Sequence, residues 1–253
     1  LDCSWHMPNV KRDAYNEYNA EHIPNAIFFD LDKNSELNSE LPHMLPTKKT
    51  WEQNISNLGI KNKDRIIVYD NSDVISSCRC WYNFIYFGHN PKLISVLNGG
   101  LKKWKLDKKK ISNKKNNISK SNYKANEKKQ LVKNKNQIQI NIKKKDFLVV
   151  DARSKERFEG KVPEPRKNLR SGSIENSYCL PFGELVNKNH TFKNPDEIIY
   201  KFNKIVGLDN QKEIVFSCGS GVTAAVLALA YSLINNKYKP SIYDGSWAEY
   251  GKI

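Results

Sequence analysis

The chain has 253 residues, with 42 Lys plus Arg against 27 Asp plus Glu, five Cys and a formal charge of +15. That length suits one large domain or two ordinary ones. The few, scattered cysteines exclude a disulfide scaffold and a zinc knuckle. No apolar run approaches the ~18 residues of a membrane span, and no basic, then apolar, leader opens the chain. A soluble protein of a reducing, cytoplasmic compartment is expected.

Leu1 is not a start Met, and Asp2 to Trp5 reads as the end of a strand, so the natural first segment is expected to be missing from this chain. Next come His22-Ile23-Pro24-Asn25-Ala26, then a short β-branched run, Ile66-Ile67-Val68-Tyr69-Asp70, and the loop Asn71-Ser72-Asp73-Val74. Ser76 to Phe84 reads as a helix that places Cys78 and Cys80 in a core, and Val96-Leu97-Asn98-Gly99-Gly100 closes the first half. Between Lys102 and Lys145 the positive charge concentrates, with runs such as Lys108-Lys109-Lys110 and Lys143-Lys144-Lys145. Thirty-five of the 42 basic residues are Lys, and no aromatic interleaving or groove-reading motif accompanies them, so the segment reads as a solvated linker and surface rather than a nucleic-acid face.

The second half repeats the first. Asp151 with Ser173-Ile174-Glu175-Asn176-Ser177 echoes Asp2 with His22 to Ala26; Glu213-Ile214-Val215-Phe216-Ser217 echoes Ile66 to Asp70; Ile242-Tyr243-Asp244-Gly245-Ser246 echoes Val96 to Gly100. The strands are short and apolar without alternation, as in Phe147 to Val150, which suits burial on both faces. Helical stretches such as Ala224 to Ile234 separate them, and strand alternating with helix implies a parallel sheet. The organisation predicted is an α/β domain over 1–112, a Lys/Asn-rich linker over 113–130 and a second α/β domain over 131–253.

Open parallel sheets bind ligands beyond the carboxyl ends of their strands, and there the two copies differ. After Ile214 to Ser217 comes Cys218-Gly219-Ser220-Gly221-Val222-Thr223 and an Ala-rich helix, whereas the first copy has no Cys at the matching place. A Cys there, with two Gly and a helix N-terminus, sits where backbone N–H groups converge on an anion. Ser220 and Thr223 add hydroxyl donors. A buried, inert Cys would not need the Gly-Ser-Gly sequence. Cys179, in an apolar stretch, is assigned to packing.

Four of the seven Arg in this Lys-biased chain, Arg153, Arg157, Arg166 and Arg170, fall within 18 residues. Arg presents a planar fork to a carboxylate that Lys does not copy, so a small anionic substrate is implied. Ion pairs with Glu156, Glu159 and Glu164 could account for one or two of them, and Arg153 could be structural beside Asp151. A Cys phosphatase would carry Arg six residues after the Cys, but Ala224 stands there; without that clamp the phosphatase reading fails. No Cys-x-x-Cys supports thioredoxin-like redox chemistry. A persulfide carrier remains.

At these residues the sequence resembles the two-domain rhodanese superfamily, and within it the 3-mercaptopyruvate sulfurtransferases. The resemblance rests on Cys218 to Thr223, Asp151-Ala152-Arg153, Arg157-Phe158, Pro163-Glu164-Pro165-Arg166, Tyr243-Asp244-Gly245-Ser246-Trp247 and, in the first half, His22-Ile23-Pro24, Phe87-Gly88-His89 and Asn98-Gly99-Gly100. It implies two tandem rhodanese-like domains, the first non-catalytic, each a parallel sheet flanked by helices. It implies Cys218 as nucleophile, the cradle Gly219, Ser220, Gly221, Val222 and Thr223 around the transferred sulfur, and Arg157 and Arg166 on the donor's carboxylate and keto oxygen. Asp32 and His43 match the family's Asp-Ile-Asp and His-Met-Leu-Pro segments, so that with Ser220 they would form a Ser-His-Asp relay across the domains. From the residues alone His43 could equally be a surface loop residue.

Thiosulfate sulfurtransferases carry basic residues in the Cys loop, and the uncharged Gly-Ser-Gly-Val-Thr version resembles the mercaptopyruvate type. The implied reaction transfers sulfur from 3-mercaptopyruvate, through a Cys218 persulfide, to cyanide or to a thiol such as thioredoxin or a small thiol. It needs no metal or organic cofactor, no nucleic acid and no membrane. A thiosulfate:cyanide sulfurtransferase and a non-catalytic rhodanese-like binding module are the alternatives. Two departures stand out: the usual Gly-His-Ile-Pro-Gly is Gly172-Ser173-Ile174-Glu175-Asn176 here, and Asn98 stands where Asp is usual.

Overall fold

The computed structural model describes residues 1–207 and 212–253. They divide into two units, one of residues 1–39, 45–129 and 188–191, the other of residues 40–44, 130–187 and 192–253. The Lys/Asn-rich stretch up to Lys129 therefore belongs to the N-terminal unit. It is held there as a strap: Ser112 and His22 exchange backbone bonds of 2.8 and 2.7 Å, Ser121 N–H donates to the Ser56 carbonyl at 2.9 Å, and Asn126 N–H to that of Phe87 at 2.9 Å. Lys108, Lys109, Lys110, Lys114, Lys115 and Lys120 project from it into solvent. Among the described residues no helix is long and apolar enough to cross a membrane.

In the N-terminal unit, α1 (Ala14–Ala20) starts at Asp13, whose carboxylate accepts from Asn16 N–H, and α2 (Lys48–Asn57) starts at Thr47, whose hydroxyl accepts from Thr50 N–H. Such side chains satisfy donors that the first helical turn leaves unpaired. Strand β1 (Ile66–Val68) is followed by α3 (Ser77–Tyr86), β2 (Ile94–Val96) and α4 (Gly100–Leu106). The strands β1 and β2 pair in parallel, and single bridges set Asp2 between Phe28 and Tyr69, in keeping with the strand end read at Asp2 to Trp5. Helix α3 is buried along its whole length, Cys78 and Cys80 included. Trp51 stacks on Phe87 at 4.5 Å and meets Phe84 edge-on at 5.1 Å, all three fully buried.

The C-terminal unit holds β3 (Val132–Lys133), α5 (Lys135–Lys144), β4 (Phe147–Asp151), α6 (Lys155–Phe158), β5 (Tyr178–Cys179), α7 (Pro195–Val206), β6 (Glu213–Ser217), α8 (Ala224–Ile234), β7 (Ser241–Tyr243) and α9 (Ser246–Tyr250). Its five strands are parallel in the order β3-β7-β6-β4-β5. The central pair, β6 and β4, carries unbroken apolar runs because helices cover both faces. Capping boxes, Asn134 with Gln137 and Asn194 with Glu197, start α5 and α7. Helix α8 is Ala- and Leu-rich and apolar on nearly every side, and it is buried accordingly.

The strand ladders correct one detail of the internal match. Val68 pairs with Val96, and Phe216 pairs with Ile242, so Val68 corresponds to Phe216 and not to Val215. The slip of one residue puts Asp70 in the position of Cys218. A second bond agrees: Leu101 N–H donates to the Asp70 carbonyl at 2.9 Å, as Trp247 N–H does to that of Cys218 at 2.9 Å.

Candidate active site

Asp151 at the end of β4 lies opposite Ser217 at the end of β6, so the segments that follow, Ala152-Arg153 and Cys218 to Thr223, leave the sheet side by side at its carboxyl edge. Cys218 is 2% exposed. Its N–H donates to Ser246 Oγ at 3.1 Å, and Ser246 Oγ donates to the Tyr243 carbonyl at 2.9 Å. The carbonyls of Cys218 and Gly219 accept from Trp247 and Ala248 N–H, each at 2.9 Å. The first turn of α9 thus clamps the Cys loop from β7, and Ser246 itself takes φ +47 to do so. Gly221 sits at φ +78, a conformation glycine adopts without a Cβ clash, and the chain then enters α8 through Val222 and Thr223.

Two guanidinium groups face this loop. A Cβ on Gly219 would lie 3.2 Å from Arg157 Nη2 and 3.5 Å from Arg166 Nη1, so both forks stand within van der Waals reach of the loop at a position that carries no side chain. Arg166 Nη2 also donates to Ser220 Oγ at 3.3 Å, and Ser220 Oγ shares a hydrogen bond of 2.9 Å with His43 Nδ1. His43 and Ser220 are both buried, and His43, at φ +60, lies in the 40–44 segment that packs with the C-terminal unit. It is thus an inward residue and no surface loop. Asp32 belongs to the N-terminal unit, where its carboxylate accepts from Trp5 Nε1 at 3.1 Å.

The other two clustered arginines do structural work. Arg153 is buried, forks onto Asp151 (2.9 and 2.7 Å to Oδ2), donates to the Gly172 carbonyl at 2.8 Å and lies over the Trp247 ring at 4.4 Å. Burial works against its charge, but Asp151 and Glu164 outweigh that and hold the guanidinium above its ordinary range. Arg170 lies over Trp247 and Tyr250 at 4.8 and 5.3 Å. Glu164 joins the two pairs, accepting from Arg153 Nη1 at 2.8 Å and from Arg157 Nη2 at 2.5 Å.

Sequence reasoning did not assign Ser246 or Glu164 a part in the site. Both lie in motifs it singled out, Tyr243 to Trp247 and Pro163 to Arg166; the Ser246–Cys218 contact joins segments 28 residues apart, while Glu164 bonds Arg153 and Arg157, 11 and 7 residues before it, in the ion pairing expected for one or two of the clustered arginines. The remaining cysteines fit packing: burial pushes the Cys179 thiol up to about 12, and the Cys3 and Cys78 thiols well above their ordinary range. In the departing loop Gly172 to Asn176, Ile174 joins the core and Asn176 takes φ +61, a left-handed conformation Asn tolerates. Among the described residues no cluster of three His, Cys, Asp or Glu is suited to a metal ion.

The rhodanese-like domain family model matches residues 12–107 and 127–252. A thiosulfate/3-mercaptopyruvate sulfurtransferase of Arabidopsis thaliana is 36% identical over 99% of this chain and 70% of its own length, and the 3-mercaptopyruvate sulfurtransferase of Homo sapiens is 36% identical over 99% and 84%. The crystal structure of SseA from Escherichia coli, a 3-mercaptopyruvate sulfotransferase, superimposes with a TM-score of 0.86 at 32% identity, covering 98% of this chain and 92% of that one. With two such domains, a Cys loop at the carboxyl edge of the second sheet and relatives of this similarity over its whole length, the chain belongs to the rhodanese-like domain family, among its two-domain sulfurtransferases.

Proposed function

We propose that this protein transfers the sulfur of 3-mercaptopyruvate to a thiol or to cyanide through a persulfide on Cys218, releasing pyruvate. The observation that carries the reading is the meeting, at Gly219, of an uncharged Cys loop with the Arg157 and Arg166 forks. A carboxylate and an adjacent keto oxygen match two planar forks set side by side, and the buried sulfur beside them is the nucleophile.

The Cys218 thiolate attacks the donor's sulfur, forming an S–S bond, while the C–S bond breaks and its electron pair goes to carbon as the pyruvate enolate. The guanidinium pair stabilises charge on the enolate oxygen. The Ser220–His43 hydrogen bond supports a proton path beside the reacting sulfur, by which the donor's thiol proton is withdrawn and the enolate is protonated; the family resemblance adds Asp32 to that relay. A thiolate acceptor then attacks the outer sulfur and regenerates Cys218. Thioredoxin or a small thiol is the proposed acceptor. The proposed cytoplasmic, reducing setting fits the five free cysteines among the described residues.

Pyruvate release from 3-mercaptopyruvate with a thiol acceptor, run beside thiosulfate with cyanide, tests this on the native chain and on Cys218→Ser. Cys218-dependent turnover of mercaptopyruvate is expected. Turnover of thiosulfate alone would replace the donor with the inorganic one and leave the persulfide step standing; an active Cys218→Ser enzyme would sink the mechanism. Silence on both donors in folded protein would favour a non-catalytic binding module.

A further inference from the structure

Glu164 bonds the Arg157 guanidinium that faces the Cys loop, and its surroundings are unusual for a charge. Its side chain is 1% exposed, as is that of Arg153, while Arg157 is 21% exposed. The contacts run as a chain: Asp151 to Arg153 at 2.7 Å, Arg153 to Glu164 at 2.8 Å, Glu164 to Arg157 at 2.5 Å from Nη2 and 3.2 Å from Nε. Two carboxylates and two guanidiniums sum to zero. Arg157 thus reaches Gly219 with its geometry set by a buried partner and its charge already balanced.

We propose that Glu164 is a specificity-determining positioning residue that sets the charge of donor this site accepts. A fork whose net charge is balanced still offers directed N–H groups to a carboxylate and keto oxygen, but it gives little extra attraction to a second negative charge. The monoanion 3-mercaptopyruvate is favoured over the dianion thiosulfate for that reason, in addition to the absence of basic residues in the Cys loop. The inference rests on the sulfurtransferase reading above.

The test is the ratio of kcat/KM for thiosulfate to that for 3-mercaptopyruvate in the native chain, Glu164→Gln and Glu164→Asp. Glu164→Gln keeps an acceptor for Arg157 but leaves the chain of charges at +1, and the ratio should rise about tenfold toward the dianion. The gain sits at the modest end of a unit-charge interaction because Arg157 is partly solvated and salt screens it. Glu164→Asp keeps the charge and shortens the reach, so both donors should slow while the ratio stays within about threefold. An unchanged ratio in folded Glu164→Gln, or an equal shift in Glu164→Asp, overturns the proposal. Should Glu164→Gln not fold, competition on the native chain decides: sulfate should inhibit no more tightly than pyruvate, and inhibition by sulfate about tenfold tighter overturns it. A native chain that turns over neither donor refutes the functional reading first, and the inference with it; turnover with an unmoved ratio refutes the inference alone.

Discussion

The loops after the central strands of the two units show how one framework keeps or loses a reactive site. In the C-terminal unit Cys218 stands at the strand end, the loop is short and uncharged, and two guanidiniums face it. In the N-terminal unit the same place is held by Asp70, whose carboxylate accepts from Ser72 and Ser77 N–H, each at 2.9 Å. An anion supplied by the chain itself occupies loop donors there. Burial raises the Asp70 carboxyl above its ordinary range, opposed by those bonds. Beyond it Asp73 pairs with Lys102 at 2.7 Å and with Arg12 at 3.5 Å, and Arg12 forks onto Glu17. The lesson is that a cysteine alone would not complete the candidate site: the second unit also supplies a glycine where two forks approach and Ser246, whose hydroxyl takes the Cys218 N–H where the N-terminal unit has Gly100.

That contrast can be broken most severely at the nucleophile. Cys218→Ser should abolish turnover, more than a thousandfold, with no cyanide-releasable sulfur left on the chain. Asp70→Cys should restore none of it in that background, since the N-terminal loop keeps its ion pairs; sulfur counted after loading with donor checks both. Next in size, Arg166→Lys should lower kcat/KM for 3-mercaptopyruvate by about 10- to 100-fold, because a point charge replaces the fork, as steady-state kinetics would read.

A smaller effect is expected at the clamp. Ser246→Ala removes the acceptor of the buried Cys218 N–H and should cost about 1–3 kcal/mol, seen as a lower unfolding midpoint in urea together with a lower kcat. The matching position in the N-terminal unit, Gly100, has no side chain to lose, and a Cβ there would clash with the Asp70 carbonyl. The smallest effect is a pH dependence of the N-terminal unit. Burial holds the His89 imidazole below its ordinary range, so the folded state keeps it neutral while the unfolded chain takes up a proton. Its contribution to stability is therefore complete above about pH 6.5 and is lost as pH falls below it. Between pH 7.5 and 5.5 the native chain should lose more stability than His89→Gln in urea titrations, and an equal loss in the two would remove this contribution.

Much of this was legible from local chemistry. Helix α8 follows from a run of Ala and Leu, β4 and β6 from short apolar runs, and the burial of Cys78 and Cys80 from the helix that carries them. The choice of Arg157 and Arg166 among four clustered arginines came with the family resemblance, and the structure brings those two to Gly219. The alignment of the repeats slipped by one residue because β-branched runs look alike under a one-residue shift, and only strand pairing distinguishes Val68 opposite Val96 from its neighbours. The segment to Lys129 reads as a linker because Lys and Asn signal solvation, yet its backbone bonds to Ser56 and Phe87 carry no compositional mark.

The sequence by itself determined the fold class and the tandem repeat, and it pointed to Cys218 and the clustered arginines as candidates, since each is written in local pattern: strand runs, Gly spacing, Arg where Lys is the habit. Tertiary structure decided which arginine is structural and which faces the loop, that Ser246 clamps Cys218, and that Asp70 stands in the place of Cys218 in the other unit. Those outcomes depend on distances between segments tens of residues apart, which strand register and helix packing set and no local pattern records.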